Sequence, residues 1–190
     1  MSIQSSKVRE RILSAATELL AAQGIRATGI DCIVRSANAS KMSLYKYFPS
    51  KEALIVACLE KYDAGLWSWF VEQVERKSPT PKDQLLAIFE VHAGWLTRPD
   101  FQGCPLINAA AEFPDQSHPV HQVSAAFYRR LQHHMTDLSA RAGARFPERL
   151  AGQLRALFEG AIVSEQLQRN SGVAVDARLA AEILIVSSIE

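Results

Sequence analysis

Apolar residues recur at helical spacing along almost the whole chain. Val8, Ile12, Ala16, Leu19 and Leu20 share one face of a predicted helix from Ser6 to Gln23, and Gly24 stands as its C-terminal stop. Ile30, Ile33, Val34 and Ala37 line one face of a short second helix. Asn38-Ala39-Ser40 then reads as a polar turn, with Ser40 placed to cap a third helix over about Lys41 to Phe48. In that helix Lys41, Ser43 and Lys46 point outward, and Leu44 and Phe48 inward. Pro49-Ser50-Lys51-Glu52 ends it and starts a long helix to about Lys77, which Ser78-Pro79-Thr80-Pro81 closes. Further helices are predicted from Asp83 to Leu96, Leu106 to Glu112, Val120 to Ala142, Pro147 to about Arg169, and Asp176 to about Ser188. Gly143 and the Asn170-Ser171-Gly172 turn punctuate the last of these. No strand pattern, internal repeat or low-complexity tract interrupts them. The pattern predicts an all-α chain with a three-helix head over residues 1–54 and a larger helical body over residues 55–190.

Two short helices joined by a tight turn of three or four residues form the helix-turn-helix unit, whose second helix enters the DNA major groove. The run Ser40-Lys41-Met42-Ser43-Leu44-Tyr45-Lys46-Tyr47-Phe48, followed by Ser50-Lys51-Glu52-Ala53-Leu54, resembles the DNA-binding segment of TetR/AcrR-type repressors. The resemblance is dense over residues 7–56 and thin afterwards. Three positions depart from the family's pattern. Asn38 replaces a turn glycine, which is compatible because Asn tolerates the left-handed conformation. Gly29 stands where Ser or Thr is common, and Tyr47 where His is frequent. The resemblance implies binding to double-stranded DNA at a palindromic operator. It also implies a homodimer formed through the last two long helices, and release of DNA when a small-molecule inducer binds among the body helices.

Charge and composition fit this division. The chain is near neutral, at +1, but residues 1–51 carry eight Lys/Arg and three acids, while the remainder carries a net −4. A basic head on an acidic body suits a phosphate-binding domain beside one that does not bind phosphate. No apolar run reaches the length of a membrane span, and MSIQSSKVRERI lacks a signal peptide's apolar stretch, so a cytoplasmic protein is expected. Three widely spaced cysteines, Cys32, Cys58 and Cys104, form neither a disulfide framework nor a zinc motif. His118-Pro119-Val120-His121 and His133-His134 do not set two imidazoles one helical turn apart, and no metal or cofactor is expected. Nor does the chain contain a phosphate-binding glycine loop, a nucleophile elbow or HExxH, which argues against an enzyme.

The candidate DNA contacts follow from the helix-turn-helix reading. Lys41, Met42 and Ser43 stand at the end of the recognition helix that faces base edges. Lys41 can donate to guanine, and Met42 can touch a thymine methyl. Tyr45, Lys46 and Tyr47 are placed to reach phosphates, with Thr28 and Lys51 as backbone clamps at neighbouring helix starts.

The candidate ligand residues of the body are Trp67, Phe70, Phe89, His92, Trp95, Cys104, Asn108, Glu112, Phe113, Phe127 and Tyr128. They form an apolar, ring-rich set with a few polar groups, as small-molecule sites do, although rings at helical spacing also build ordinary cores. Gly103-Cys104-Pro105-Leu106-Ile107-Asn108-Ala109-Ala110-Ala111-Glu112-Phe113 is similar to a G-C-x-x-x-N-x-x-x-E segment of a subset of the family. Cys104 precedes a helix start there, which raises a second possibility of electrophile or oxidant sensing. Near the C-terminus, two apolar stripes suit a symmetric four-helix interface as well as a private core. One runs through Leu150, Leu154, Leu157, Phe158, Ala161 and Ile162. The other holds Leu179, Ala180, Ile183, Leu184 and Val186.

Overall fold

The computed structural model describes residues 3–189; Met1 and Ser2, within the segment read for a targeting signal, and Glu190 lie outside the described residues. Among the described residues all regular structure is helical: α1 (Ile3–Gln23), α2 (Ile30–Ser36), α3 (Lys41–Tyr47), α4 (Lys51–Lys77), α5 (Pro81–Leu96), α6 (Pro105–Glu112), α7 (Pro119–Arg141), α8 (Pro147–Leu167) and α9 (Val173–Ile189). The expected all-α class is therefore observed. Several helices start earlier than hydrophobic spacing places them, because proline opens the helix rather than preceding it. Pro81 occupies the first turn of α5, where its missing N–H costs nothing, while Thr80 Oγ1 accepts from Asp83 N at 3.2 Å. Pro105 and Pro119 begin α6 and α7 in the same way.

The chain divides into two compact units, Met1–Gly65 with Pro105–Phe127, and Leu66–Cys104 with Tyr128–Glu190. Compactness thus does not divide the chain at 54/55: α6 and the first part of α7 cluster with the three N-terminal helices. The first unit centres on Ile12, Leu13, Ala16, Ile33, Ala37, Leu44, Phe48, Leu54 and Cys58, all buried. Burial pushes the Cys58 thiol above its ordinary pKa, as expected for an unreactive core cysteine. Leu44 is fully enclosed on the inward face of α3. Truncating such a leucine to alanine costs about 2–5 kcal/mol.

In the second unit α9 packs against both α5 and α8. Its inward residues are Ala174, Ala177, Ala181 and Ile185, and the three alanines are small enough to bring the helix close to its neighbours. Leu85, Ile88, Phe89, Leu150, Leu154, Phe158 and Ile162 supply the facing core. The turn after α8 is held by buried Glu165, which accepts from Asn170 N at 2.8 Å and Ser171 Oγ at 2.9 Å. These donors, led by the Asn170 N–H, hold its carboxyl below the usual carboxylate range. Asn170 there adopts φ +57°, a left-handed conformation that asparagine accepts.

The two C-terminal stripes separate. On α8, Leu150, Leu154, Phe158, Ala161 and Ile162 are buried in their own core. On α9, Leu179 and Ile183 face outward, together with Val175. Since α9 is apolar on its inner and outer faces alike, it has little amphipathic signature.

Candidate nucleic-acid interface and ligand residues

The turn between α2 and α3 has a specific construction. Asn38 N donates to Arg35 O at 3.2 Å and Ala39 N to Val34 O at 2.9 Å, with Asn38 at φ +46°. This is a Schellman closure with asparagine in the left-handed position that glycine most often fills. Ser40 Oγ accepts from Ser43 N at 3.0 Å, so one turn ends α2 and caps α3. Arg11 of α1 donates to Asn38 O at 3.2 Å, tying the turn to the first helix.

With Leu44 and Phe48 buried, the opposite face of α3 is fixed outward. Lys41, Met42, Tyr45 and Lys46 are exposed, Met42 at 82%. An exposed methionine of this size has no packing role in its own chain, which suits an apolar contact with a partner. Lys41 Nζ lies 2.6 Å from Asp31 Oδ1, and the hydrogen bond and charge of Asp31 raise the lysine's pKa above its ordinary value. Ser43 and Tyr47 are half-buried, and Lys46 Nζ stands 5.8 Å from the Tyr47 ring centre. Ser50 Oγ caps α4 by accepting from Ala53 N at 3.0 Å. Lys51, in its first turn, reaches Arg26 O at 3.5 Å.

Thr28 departs from the expectation of a phosphate clamp. It is fully buried, and its hydroxyl donates to Gly24 O at 2.7 Å. It also lies before the start of α2, whose N-cap is Gly29 with no side-chain bond. Its side chain fastens the α1–α2 connection and cannot reach a phosphate.

The ligand candidates fall into both units. Asn108, Glu112, Phe113 and Phe127 belong to the first. Trp67, Phe70, Phe89, His92, Trp95, Cys104 and Tyr128 belong to the second. Glu112 is occupied within its unit: its carboxylate accepts from Ile25 N at 3.0 Å and Arg26 N at 2.8 Å. Phe113 stacks near His118, with centroids 4.5 Å apart, and receives the Arg26 guanidinium at 5.7 Å. Cys104 is buried and accepts a hydrogen bond from Tyr128 Oη at 3.5 Å.

In the second unit, rings gather around Phe158. His92 stacks on it at 3.7 Å between centroids, and Phe70 and Phe89 meet it edge-on at 6.1 and 6.5 Å. Trp95 lies 6.0 Å from His92 and 4.9 Å from Phe101. Phe158 is the member that sequence spacing assigns elsewhere, to the α8 stripe. Its period matches the core leucines, and only tertiary packing reveals that His92 lies against it. Trp67 has the Arg130 guanidinium 4.3 Å from its ring centre and His134 5.5 Å away. Among the described residues no group of three His, Cys, Asp or Glu side chains is arranged to hold a metal ion.

The outward face of a short capped helix, set on a buried three-helix core by a Schellman turn, defines a DNA-binding protein of the helix-turn-helix class. Residues 12–58 match the bacterial regulatory proteins of the tetR family, and residues 81–181 the tetracyclin repressor-like C-terminal domain. The chain belongs to the TetR family and is a DNA-binding transcriptional regulator. It is 28% identical over 182 residues to the HTH-type transcriptional regulator YjdC of Escherichia coli, covering 93% of each chain. The crystal structure of SCO4454, a TetR-family transcriptional regulator from Streptomyces coelicolor, superposes with a TM-score of 0.90 at 30% identity, over 97% of both chains. The HTH-type transcriptional repressor NemR of Escherichia coli is 28% identical over 110 residues, 57% of this chain and 55% of that one. The reduced form of NemR shares the fold, with a TM-score of 0.83 at 22% identity over 93% of this chain and 95% of that one.

Proposed function

We propose that the chain is a ligand-responsive repressor that binds a palindromic operator as a homodimer and leaves it when a small apolar or aromatic molecule binds the body. The observation that carries this reading is the outward presentation of Lys41, Met42 and Tyr45 on a rigidly capped α3. Lys41, Met42 and Ser43 read bases; Tyr45, Lys46, Tyr47 and Lys51 hold phosphates. Two copies join through the outer faces of α8 and α9, where Val163, Leu167, Val175, Leu179 and Ile183 are exposed. A two-fold axis there makes an isologous four-helix contact and sets the recognition helices for two half-sites. The protein performs no catalysis, needs no cofactor and works in the cytoplasm. Among the described residues no helix is long and apolar enough to cross a membrane.

The mechanism is a two-state equilibrium. The inducer binds more tightly to a dimer geometry whose recognition helices no longer fit successive major grooves; a ligand without that preference shifts nothing. Helix α4 supports the transfer, since it runs unbroken from Lys51, at the head, to Lys77. The test is selection of bound duplexes from a random library, followed by a search for compounds that release the best one. A palindromic consensus, bound in a salt-dependent way and released by an aromatic compound, is the expected result. Binding without sequence preference sinks the proposal.

A second reading makes Cys104 a thiol sensor of electrophiles or oxidants. Its place just before α6 and the Tyr128 hydroxyl at its sulfur favour it. Its burial opposes it, because a reagent must reach the thiol before it can react. Brief alkylation with DNA release measured on the same sample separates the two. A thiol sensor labels first at Cys104 and lets go of DNA.

A further inference from the structure

His92 is 3% exposed on the inner face of α5, and its Nε2 atom is buried with no hydrogen-bond partner in the protein. Its surroundings are rings: Phe158 stacked face to face at 3.7 Å, Trp95 at 6.0 Å, and Phe70 and Phe89 meeting Phe158 by their edges. A ring nitrogen taken out of water and left unpaired costs stability. Phenylalanine or leucine could pack there without that cost, so packing alone does not account for the residue. Burial pushes the His92 pKa down to about 3, which leaves the ring neutral at physiological pH. A neutral imidazole nitrogen pairs with a hydroxyl in either tautomer, because a hydroxyl both donates and accepts. The aromatic surroundings suit an apolar ring and disfavour a charged group, which would have to shed its water without a counter-ion.

We propose that His92 Nε2 is the polar anchor of a ligand subsite on the Phe158 cluster, and that the subsite takes an uncharged planar aromatic molecule bearing a hydroxyl group. The proposal rests on the ligand-responsive reading above and gives its effector a chemical class. The aromatic body of the ligand packs among the rings, and its hydroxyl supplies the hydrogen bond that the buried nitrogen lacks. Discrimination then falls on the hydroxyl: the same ring system without it leaves Nε2 unpaired and binds more weakly.

The test uses the full chain and two probes, 2-naphthol and naphthalene, with binding followed by calorimetry. Wild type should bind 2-naphthol at least about tenfold more tightly than naphthalene, in line with one buried hydrogen bond. His92→Phe keeps a stacking ring, and His92→Leu is a second replacement. Both should erase the preference while melting no lower than wild type and binding operator duplex normally. Equal affinity for the two probes in wild type, no binding of 2-naphthol, or a preference that survives both substitutions overturns the proposal. So does a large loss of stability in both variants, since that would mean His92 holds the core together. Failure of wild type to bind any duplex would instead sink the regulator reading, independently of the probe result.

Discussion

The carboxylate of Glu112, at the end of α6, accepts the backbone N–H of Arg26, and Arg26 returns its guanidinium to the Glu112 carbonyl at 2.7 Å. The second carboxylate oxygen takes the N–H of Ile25. A residue 86 positions away in sequence therefore serves the connection between α1 and α2. That connection holds buried Thr28, and its Arg26 carbonyl receives Lys51 from the first turn of α4. Helix α6 is thus fastened to the backbone that sets the recognition helix on its core.

Glu112→Ala should leave two backbone N–H groups without their partner. Hydrogen bonds to a charged acceptor contribute about 1.5–3 kcal/mol each, less where water can replace the lost partner, as it can at exposed Arg26. The expected loss is about 1–3 kcal/mol, with affinity falling alike for every duplex and base preference unchanged. Denaturant unfolding and duplex titration check this. Wild-type stability would show that the carboxylate is replaceable by solvent.

Much of this was legible in the sequence, for reasons that can be named. The α2–α3 unit follows from local chemistry: a left-handed turn residue, a serine cap and apolar residues at helical spacing act within a few positions of one another. The pairing of Glu112 with Ile25 and Arg26 has no local signature, and a glutamate four residues after Asn108 reads equally well as a pocket residue. Thr28 differs from its sequence expectation for a related reason. A threonine near a helix start resembles a phosphate clamp, and only the packing of α1 shows its hydroxyl turned inward to Gly24. Ligand contacts are harder still, because buried rings look alike in sequence whether they fill a core or line a site.

The ion pair between Asp31 and Lys41 must open, or be shared, when Lys41 meets a base. Both side chains are exposed, so solvent screens the pair and it adds little to stability. Its larger effect should be on DNA. Asp31→Asn removes an acid from the face proposed to meet DNA and frees the lysine, so affinity should rise for all duplexes. Lys41→Ala or Met42→Ala should instead change preference at one or two base pairs, by about 1–3 kcal/mol each. Lys51→Ala should weaken all binding and lower the salt slope by about one ion. Unchanged preference in both the Lys41 and Met42 variants would place base reading elsewhere.

His92 also predicts an acid limb in the stability curve. Its pKa falls from 6.5 to about 3 on folding, so between these values the unfolded chain binds a proton that the folded chain does not. Stability is therefore full above pH 6.5 and declines as pH falls toward 3. The slope approaches about 1.4 kcal/mol per pH unit in that window. His92→Phe should flatten this part of the curve and leave the neutral plateau equal or higher. Parallel curves for wild type and variant would show that the ring protonates freely in the folded state.

The outer face of α9 carries the last prediction. Val175, Leu179 and Ile183 follow one another at four-residue spacing, and Ile183 is 69% exposed. On α8, Val163 and Leu167 are exposed as well, Leu167 at 83%. Contiguous apolar side chains of this size mark an interaction surface. The inner face of α9 is already filled by its packing on α5 and α8, so the outer residues have no further work inside the protomer. Leu179→Glu with Ile183→Glu should therefore leave helicity intact, because neither side chain is buried in the single chain. It should turn a dimer into a monomer by repulsion across the two-fold axis. Operator affinity should then drop by roughly a hundredfold or more, since one recognition helix no longer holds its partner near the second half-site. Sedimentation at micromolar concentration, circular dichroism and duplex titration of the same samples resolve these effects. A wild type that sediments as a monomer, or a double variant that remains a dimer, places the interface on another surface.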